Sequence, residues 1–259
     1  MNYAYWTTLL GVAMAILMLV GTFAAISSLF RRIGLSRKVT GEITNISYLD
    51  GVKVNAVSIQ LKSQWPGHYA GQFAFITFDQ HEGAHPFSIT SVWSGDGKLS
   101  FLIKALGDYT STINTQLKVG DIAVVEWPYG RFNFEGESAR QIWIAGGIGI
   151  TPFIARMKAL AAKPDGRLIY LFHTSSDIDD DALLLLKNDA LSAGVRLHVM
   201  ISSKEGRLNG EILREKISDW QVADIWFCGP LLFGKTMRND LIKHGMLVAN
   251  FHQELFEMR

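Results

Sequence analysis

Cysteine is nearly absent from this 259-residue chain, which has only Cys228. A disulfide framework, a structural zinc site of several thiolates and a four-cysteine iron–sulfur cluster are therefore excluded within it. If electrons move here, an organic cofactor must carry them. Net charge is nearly absent too, at a formal +1, and no basic stripe is interleaved with aromatics, so nothing points to nucleic acid. Met1 to Phe30 lacks Asp, Glu, Lys and Arg altogether, and no histidine precedes His68. That opening stretch therefore offers no haem ligand and no ion path.

What it offers is length. Tyr5 to Phe30 is almost wholly apolar or small, and a spanning helix needs roughly 20 such residues. Tyr3, Tyr5 and Trp6 lie where an interfacial belt belongs, and Arg31, Arg32, Arg37 and Lys38 follow at once. The excess of positive charge on that side puts the N-terminus outside and the rest in the cytoplasm, as a single-pass protein of the cell membrane. A cleaved signal peptide is the rival reading. It calls for positive charge before a shorter apolar core, the reverse of this order.

With 48% hydrophobic residues, the remainder can build two cores. From Val39 the pattern alternates and is rich in β-branched residues and turns: Asn55 to Leu61, Gln72 to Phe78, Leu99 to Ala105 and Ile122 to Glu126. Short strands at this spacing predict a small six-stranded antiparallel β-barrel over residues 39–138. Beyond Gln141, apolar runs (Ile142–Ala145, Leu168–Phe172, Val195–Ile201, Ile225–Cys228, Leu247–Phe251) alternate with helical-period segments such as Phe153 to Ala162. That rhythm predicts a doubly wound parallel α/β domain over 139–259. The boundary falls in the polar stretch Glu135 to Arg140.

The second domain opens with QIWIAGGIGITPFIARM. A buried-type strand runs into Gly146, Gly147 and Gly149, which leave no side chain to block a close approach. Thr151 can cap a helix beginning at Pro152, where a missing N–H costs least. Free N–H groups and the helix dipole then suit a pyrophosphate, although the spacing is not the full dinucleotide fingerprint. The next strand ends in His173, Thr174, Ser175 and Ser176 with no acid before Asp177, and a later one ends in Ser202, Ser203 and Lys204, followed by Arg207. Hydroxyls and cations favour the 2′-phosphate of NADP over NAD. Ser175 and Ser176 can alternatively cap a helix whose acidic first turn holds Asp177, Asp179, Asp180 and Asp181.

GQFAFITF, HPFSITS, LGDYT, PYGRF, GGIGITPF, FCGP and FHQELF occur in the order and spacing of the ferredoxin–NADP reductase superfamily. Over Val39 to the end the chain resembles, more narrowly, the dehydrogenase part of the ferric reductase and NADPH oxidase family. The resemblance implies that His85, Pro86, Phe87 and Ser88 hold FAD. Phe87 would lie against the isoalloxazine ring, Ser88 would offer its hydroxyl near N5, and His85 would face the phosphate or ribose. Pro86 would fix the backbone between them. Alone, these residues also read as a core Phe, a strand-end His and a turn Ser. Lys104, Gly107, Tyr109, Thr110 and Ser111 match the second FAD segment, whose turn into a helix presents N–H groups to the pyrophosphate. Gly130 and Phe132 match the stretch closing the barrel near the adenine, or are a plain turn. Cys228, Gly229 and Pro230 match the turn beside the nicotinamide, with Cys228 a positioning residue or simply a small buried one. Glu254 matches a carboxylate near N5 and Phe256 the ring covering the second flavin face. Because Glu257, Met258 and Arg259 extend past that ring, Phe251 is the alternative.

These expectations describe an NAD(P)H-dependent FAD oxidoreductase, with NADP as the nucleotide and NAD as the alternative. Hydride passes to FAD, with Ser88, Cys228, Glu254 and Phe256 around the reacting atoms. Single electrons then pass to a haem-bearing membrane partner or to ferric iron. Membrane relatives carry several helices with paired haem-binding histidines, whereas this chain has one helix. A haem would then come from a separate polypeptide, or be missing, or be replaced by another acceptor. The competing readings are a stand-alone flavin oxidase or diaphorase reducing oxygen, quinone or soluble iron, and a non-catalytic nucleotide-binding regulatory subunit.

Overall fold

The computed structural model describes residues 8–29 and 37–254. It divides into two compact units, one ending at Lys38 and one running from Val39 to the C-terminus. Among the described residues the first unit holds one long helix, α1 (Leu9–Leu29). Thr8 starts it by accepting the Gly11 N–H on its hydroxyl at 3.1 Å, and the Thr22 hydroxyl is satisfied inside it by the Met18 carbonyl at 2.8 Å. Its large apolar side chains are exposed along its length. Leu9–Ser28 is long and apolar enough to cross a membrane, a test that a signal sequence near the N-terminus also passes. Tyr3, Tyr5, Trp6, Arg31 and Arg32 lie outside the described residues.

The second unit holds two sheets. Strands β1 (Lys38–Leu49), β2 (Val54–Leu61), β3 (Phe73–Thr77), β4 (His85–Ser88), β5 (Lys98–Lys104) and β6 (Ile122–Glu126) form a six-stranded sheet in the order β4-β3-β6-β1-β2-β5. β1 pairs with β2, β2 with β5, and β3 with both β4 and β6, all antiparallel. The chain beyond β4 closes it, through an antiparallel bridge of Ile89 to Phe101 and the Thr90 N–H on the Ser100 carbonyl at 2.8 Å. Alternation along β2 and β5 sends Val57, Ile59, Leu61, Leu99, Phe101 and Ile103 into one core with Ile43, Ala74 and Ile76. Helix α2 (Asp108–Gln116) follows β5.

The other sheet is five-stranded and parallel, from β7 (Arg140–Gly146), β8 (Leu168–Ser175), β9 (Arg196–Ile201), β10 (Asp224–Cys228) and β11 (Phe251–Glu254), in the order β11-β10-β7-β8-β9. Helices α3 (Thr151–Ala162), α4 (Asp180–Ser192), α5 (Ser202–Glu205), α6 (Gly210–Lys216) and α7 (Leu231–Lys243) connect them. Each face has its own core. Trp143, Ala145, Leu171, Trp226 and Cys228 point to one, while Ile142, Ile144, Phe172, Phe227 and Phe251 point to the other. Chain order reverses between β7 and β10, the switch point where such folds bind ligands.

Three local expectations are corrected. Leu247–Phe251 is not a strand: Leu247 and Val248 are exposed and lead into a 3₁₀ turn closed by the Asn250 N–H on the Leu247 carbonyl at 3.0 Å. The strand is the more polar Phe251–Glu254, because the backbone pairing with β10 decides it. Thr151 does not cap α3, and Pro152 is not its first residue. The 3₁₀ turn Gly147–Ile150 runs straight into the helix, leaving no extended residue for a cap, so Thr151 is the first helical residue and its hydroxyl donates to the Ile148 carbonyl at 3.1 Å. Helix α4 is capped by Asp179, whose carboxylate accepts the Ala182 N–H at 2.7 Å, rather than by Ser175 or Ser176.

The segment between the sheets is fixed to the second one. Phe132 and Phe134 are buried in its core against Trp226, Trp143 and Phe153. Arg167 donates to the Phe134 and Gly136 carbonyls at 2.8 and 3.0 Å, and Asp224 accepts the Ser138 N–H at 3.0 Å.

Candidate active site

Register builds a row of side chains across the parallel sheet. His173 of β8 pairs with Ala145 of β7, Ala145 with Cys228 of β10, and Cys228 with Glu254 of β11. Paired residues of parallel neighbours share a face and stand about 4.8 Å apart. The row lies at the C-terminal ends of the strands, beside the switch point. Burial, and secondarily Glu254, pushes the Cys228 thiol up to about 12, so it stays protonated and is not a nucleophile. Burial likewise raises the Glu254 carboxyl to about 7, and its Oε2 is buried without a partner. A carboxyl so poised can hold or release a proton near neutrality.

The two turns above this row are shaped to each other. A methyl group on Gly149 would lie 2.6 Å from the Cys228 carbonyl carbon and 3.0 Å from the Gly229 nitrogen, and one on Gly146 would lie 2.8 Å from Pro230 Cδ. These glycines admit the neighbouring Cys228–Pro230 turn, a requirement distinct from the close ligand approach expected of them. Gly147 is in the left-handed region at φ +55°, and its Cβ position is 4.0 Å from Lys104 Nζ. Lys104 thus reaches from β5 over the turn that precedes α3.

On the barrel, alternation separates the HPFS residues. His85 and Phe87 share a face with Ile76 and Ala74, whereas Pro86 and Ser88 share the opposite face with Phe75 and Phe73. The His85 ring stacks on Tyr109, the second residue of α2, with centroids 4.8 Å apart, and His85 Nε2 is buried with no partner. Burial, then Asp79 and Glu82, raises the Tyr109 hydroxyl to about 12. Thr110 closes the start of α2 by accepting the Leu106 and Gly107 N–H groups at 3.0 and 3.1 Å, while the Ser111 hydroxyl donates to the Asp108 carbonyl at 2.8 Å. Both hydroxyls work inside the turn. Gly130 touches Glu254 Oε1, 2.7 Å from its Cβ position, and lies against the Phe73 ring. The stretch expected near the adenine therefore adjoins the residue expected at N5, and Phe132 is a core residue of the second sheet.

At the other end of the row, the Ser202 and Ser203 hydroxyls donate to the Ser175 and Ser176 carbonyls at 3.1 and 2.8 Å, and Ser175 donates to the Asp177 carbonyl at 2.7 Å. The structure brings these serines together, with Lys204 on the same single turn α5 and Arg207 just beyond. Phe251 is buried in the second core, with its ring stacked on Phe227 at 6.2 Å, which removes it as a flavin-covering ring. Phe256 lies outside the described residues. Sequence reasoning gave no role to His173, His252 and the aromatic group Phe73, Phe75 and Tyr129. His252 stacks on Trp226 at 4.2 Å and bonds Asp224 through Nε2 at 3.3 Å. It lines a cleft of about 580 Å³ with Arg131, Asn133 and Glu254.

Residues 40–133 match the FAD-binding domain family, of the ferric reductase and NADPH oxidase type. The two sheets together have the ferredoxin–NADP reductase-like fold. The chain is 31% identical over 163 residues to flavohemoprotein B of Dictyostelium discoideum, a match covering 58% of this chain and 38% of that one. It is 26% identical over 212 residues to the flavohemoprotein of Bordetella pertussis, covering 74% and 52%. The chain thus spans about half or less of these relatives. Its fold matches the FAD/NAD binding domain of nitric oxide dioxygenase from Vibrio cholerae with a TM-score of 0.72 at 18% identity, covering 84% of this chain and 98% of that one. The cytochrome b5 reductase domain of Ulva prolifera nitrate reductase gives 0.70 at 20%, covering 85% and 98%. An FAD fits the residues present: a buried, unpartnered His85 nitrogen, half-buried aromatic faces at Phe87 and Tyr109, and the free N–H groups that begin α2.

Proposed function

We propose that this chain is a membrane-anchored reductase that takes hydride from NAD(P)H and passes single electrons to a haem-bearing partner or to ferric iron. The observation that carries the reading is the switch-point crevice, where two mutually fitted turns stand over the row ending in Cys228 and Glu254. When bound, FAD supplies the chemistry that couples a hydride donor to one-electron acceptors.

The chain's own residues bind, orient and handle protons. N–H groups of the Gly147–Gly149 turn and the positive end of α3 receive the nucleotide diphosphate, with Lys104 above them. The Cys228–Pro230 turn seats the nicotinamide, and the protonated thiol fills space without reacting. Glu254 holds a proton at its carboxyl or gives it up as charge changes beside it. On the barrel, Phe87 offers a ring face to a flat ligand and Ser88 its hydroxyl. Asp79 and Glu82 beside Tyr109 disfavour an anion there, so His85 and Tyr109 suit a ribose or ring better than a phosphate. The start of α2, with Gly107, is left for the phosphate. The serines at the ends of β8 and β9, with Lys204 and Arg207, favour NADPH over NADH. Helix α1, followed by basic residues, anchors the chain with its N-terminus outside. The haem partner is suggested by the flavohemoproteins, which by name join such a domain to haem.

Anaerobic titration of detergent-purified, FAD-supplemented protein with NADPH and then NADH, followed by flavin absorbance, tests the reading. Bleaching at lower NADPH concentration is expected. Bound FAD that neither nucleotide bleaches would leave a regulatory subunit.

A further inference from the structure

His173 has a buried nitrogen with nothing to bond. The residue is 5% exposed at the end of β8, beside Ala145 of β7, and its Nδ1 is enclosed without a partner. Burial lowers it to about 4, helped by Lys104 and opposed by the Ala145 backbone, so the ring is neutral near pH 7. In the tautomer that carries its proton on Nε2, Nδ1 is an acceptor only. Buried acceptors are normally satisfied, so this one awaits a donor. An ionised diphosphate has no proton to give. Lys104 has three: it is the one charged group acting on this ring, and its Nζ stands over Gly147. A carboxylate in this place would hold the ammonium but cancel its charge, whereas a neutral imidazole holds it and leaves the charge for an anion.

We propose that His173 is a positioning residue whose Nδ1 accepts a hydrogen bond from Lys104 Nζ, aiming the ammonium at the nucleotide diphosphate on the Gly147 turn. The proposal rests on the reading of that turn as the NAD(P)H site. It assigns His173 no contact with the reacting atoms.

Two substitutions separate the ring's two nitrogens. In His173→Asn the amide oxygen stands near the place of Nδ1, while in His173→Gln the amide reaches the place of Nε2 and leaves Nδ1's place empty. Nucleotide affinity is measured by calorimetry on the full, FAD-loaded protein in detergent, alone and in a Lys104→Met background, with the melting temperature as a check on folding. We expect His173→Asn to bind within about threefold of the parent and His173→Gln about tenfold more weakly. In the Lys104→Met background the Gln variant should add no more than about a factor of two. Equal affinity for both variants, whether intact or lost, overturns the proposal. So does a tenfold loss that persists without Lys104, which would mean that Nδ1 meets the ligand itself. A parent that binds neither nucleotide overturns the nucleotide reading and this inference together, whereas tight binding in all variants overturns this inference alone.

Discussion

Replacing Glu254 by glutamine should remove a pH dependence from the protein's stability. Burial lifts this carboxyl from its ordinary 4.5 to about 7, and each pH unit of such a difference is worth about 1.36 kcal/mol. Between the two values the folded chain holds a proton that the unfolded chain has lost. Folding therefore binds protons, and stability falls as pH rises through that window. Below about pH 4.5 both states are protonated and the penalty vanishes; above about pH 7 it reaches its limit, about 3 kcal/mol at most. Glutamine keeps the shape and removes the charge. Urea unfolding of FAD-free protein in detergent, at intervals from pH 4.5 to 8, should show parent and Glu254→Gln diverging steadily, with the variant more stable at the alkaline end. Parallel curves would refute the claim that this carboxyl is buried at the cost of its charge. With FAD restored, the same substitution should flatten any step near pH 7 in the rate of hydride transfer.

Gly149→Ala should press a methyl against the Cys228–Gly229 backbone, 2.6 Å from the nearer carbonyl carbon. Backbone cannot rotate away, so a loss of about 1–3 kcal/mol in unfolding free energy is expected, with nucleotide affinity falling more than FAD affinity. Arg167→Met should cost about 2–3 kcal/mol by removing two charge-assisted bonds, to the Phe134 and Gly136 carbonyls. It would be seen as a lower melting temperature with little change in nucleotide affinity once folded.

The strands were legible where alternation met burial on one face. Ile122–Glu126 reads as a strand in sequence and is one, because Ala123 and Val125 enter the barrel core while their neighbours do not. The switch between antiparallel and parallel sheets was legible for the same reason, since strands buried on both faces read as unbroken apolar runs. Composition misled at the C-terminus, where Leu247 and Val248 are exposed and Phe251–Glu254 pairs with β10 despite its polar residues. Sequence offered the glycine turn but gave one reason for its glycines where the structure adds another. A neighbour that arrives from a distant strand leaves no local signal. Nor does HPFS announce that its residues face two ways, a consequence of β4 being itself a strand.

Such distant neighbours also explain why His173, visible at a strand end, was given no role. A single histidine closing the run Leu168–Phe172 resembles the end of any strand. What distinguishes it is register: β7, β8, β10 and β11 bring His173, Ala145, Cys228 and Glu254 into one line on one face. In a parallel sheet a slip of one residue turns every side chain of a strand to the opposite face. A slip of β11 would therefore send Glu254 away from Cys228 and turn Phe251 to the face that holds Trp226. The buried aromatic contacts of Phe251 with Phe227 on one face and of His252 with Trp226 on the other oppose that slip from both sides. The same packing that holds the edge strand in place therefore sets the position of the titrating carboxyl.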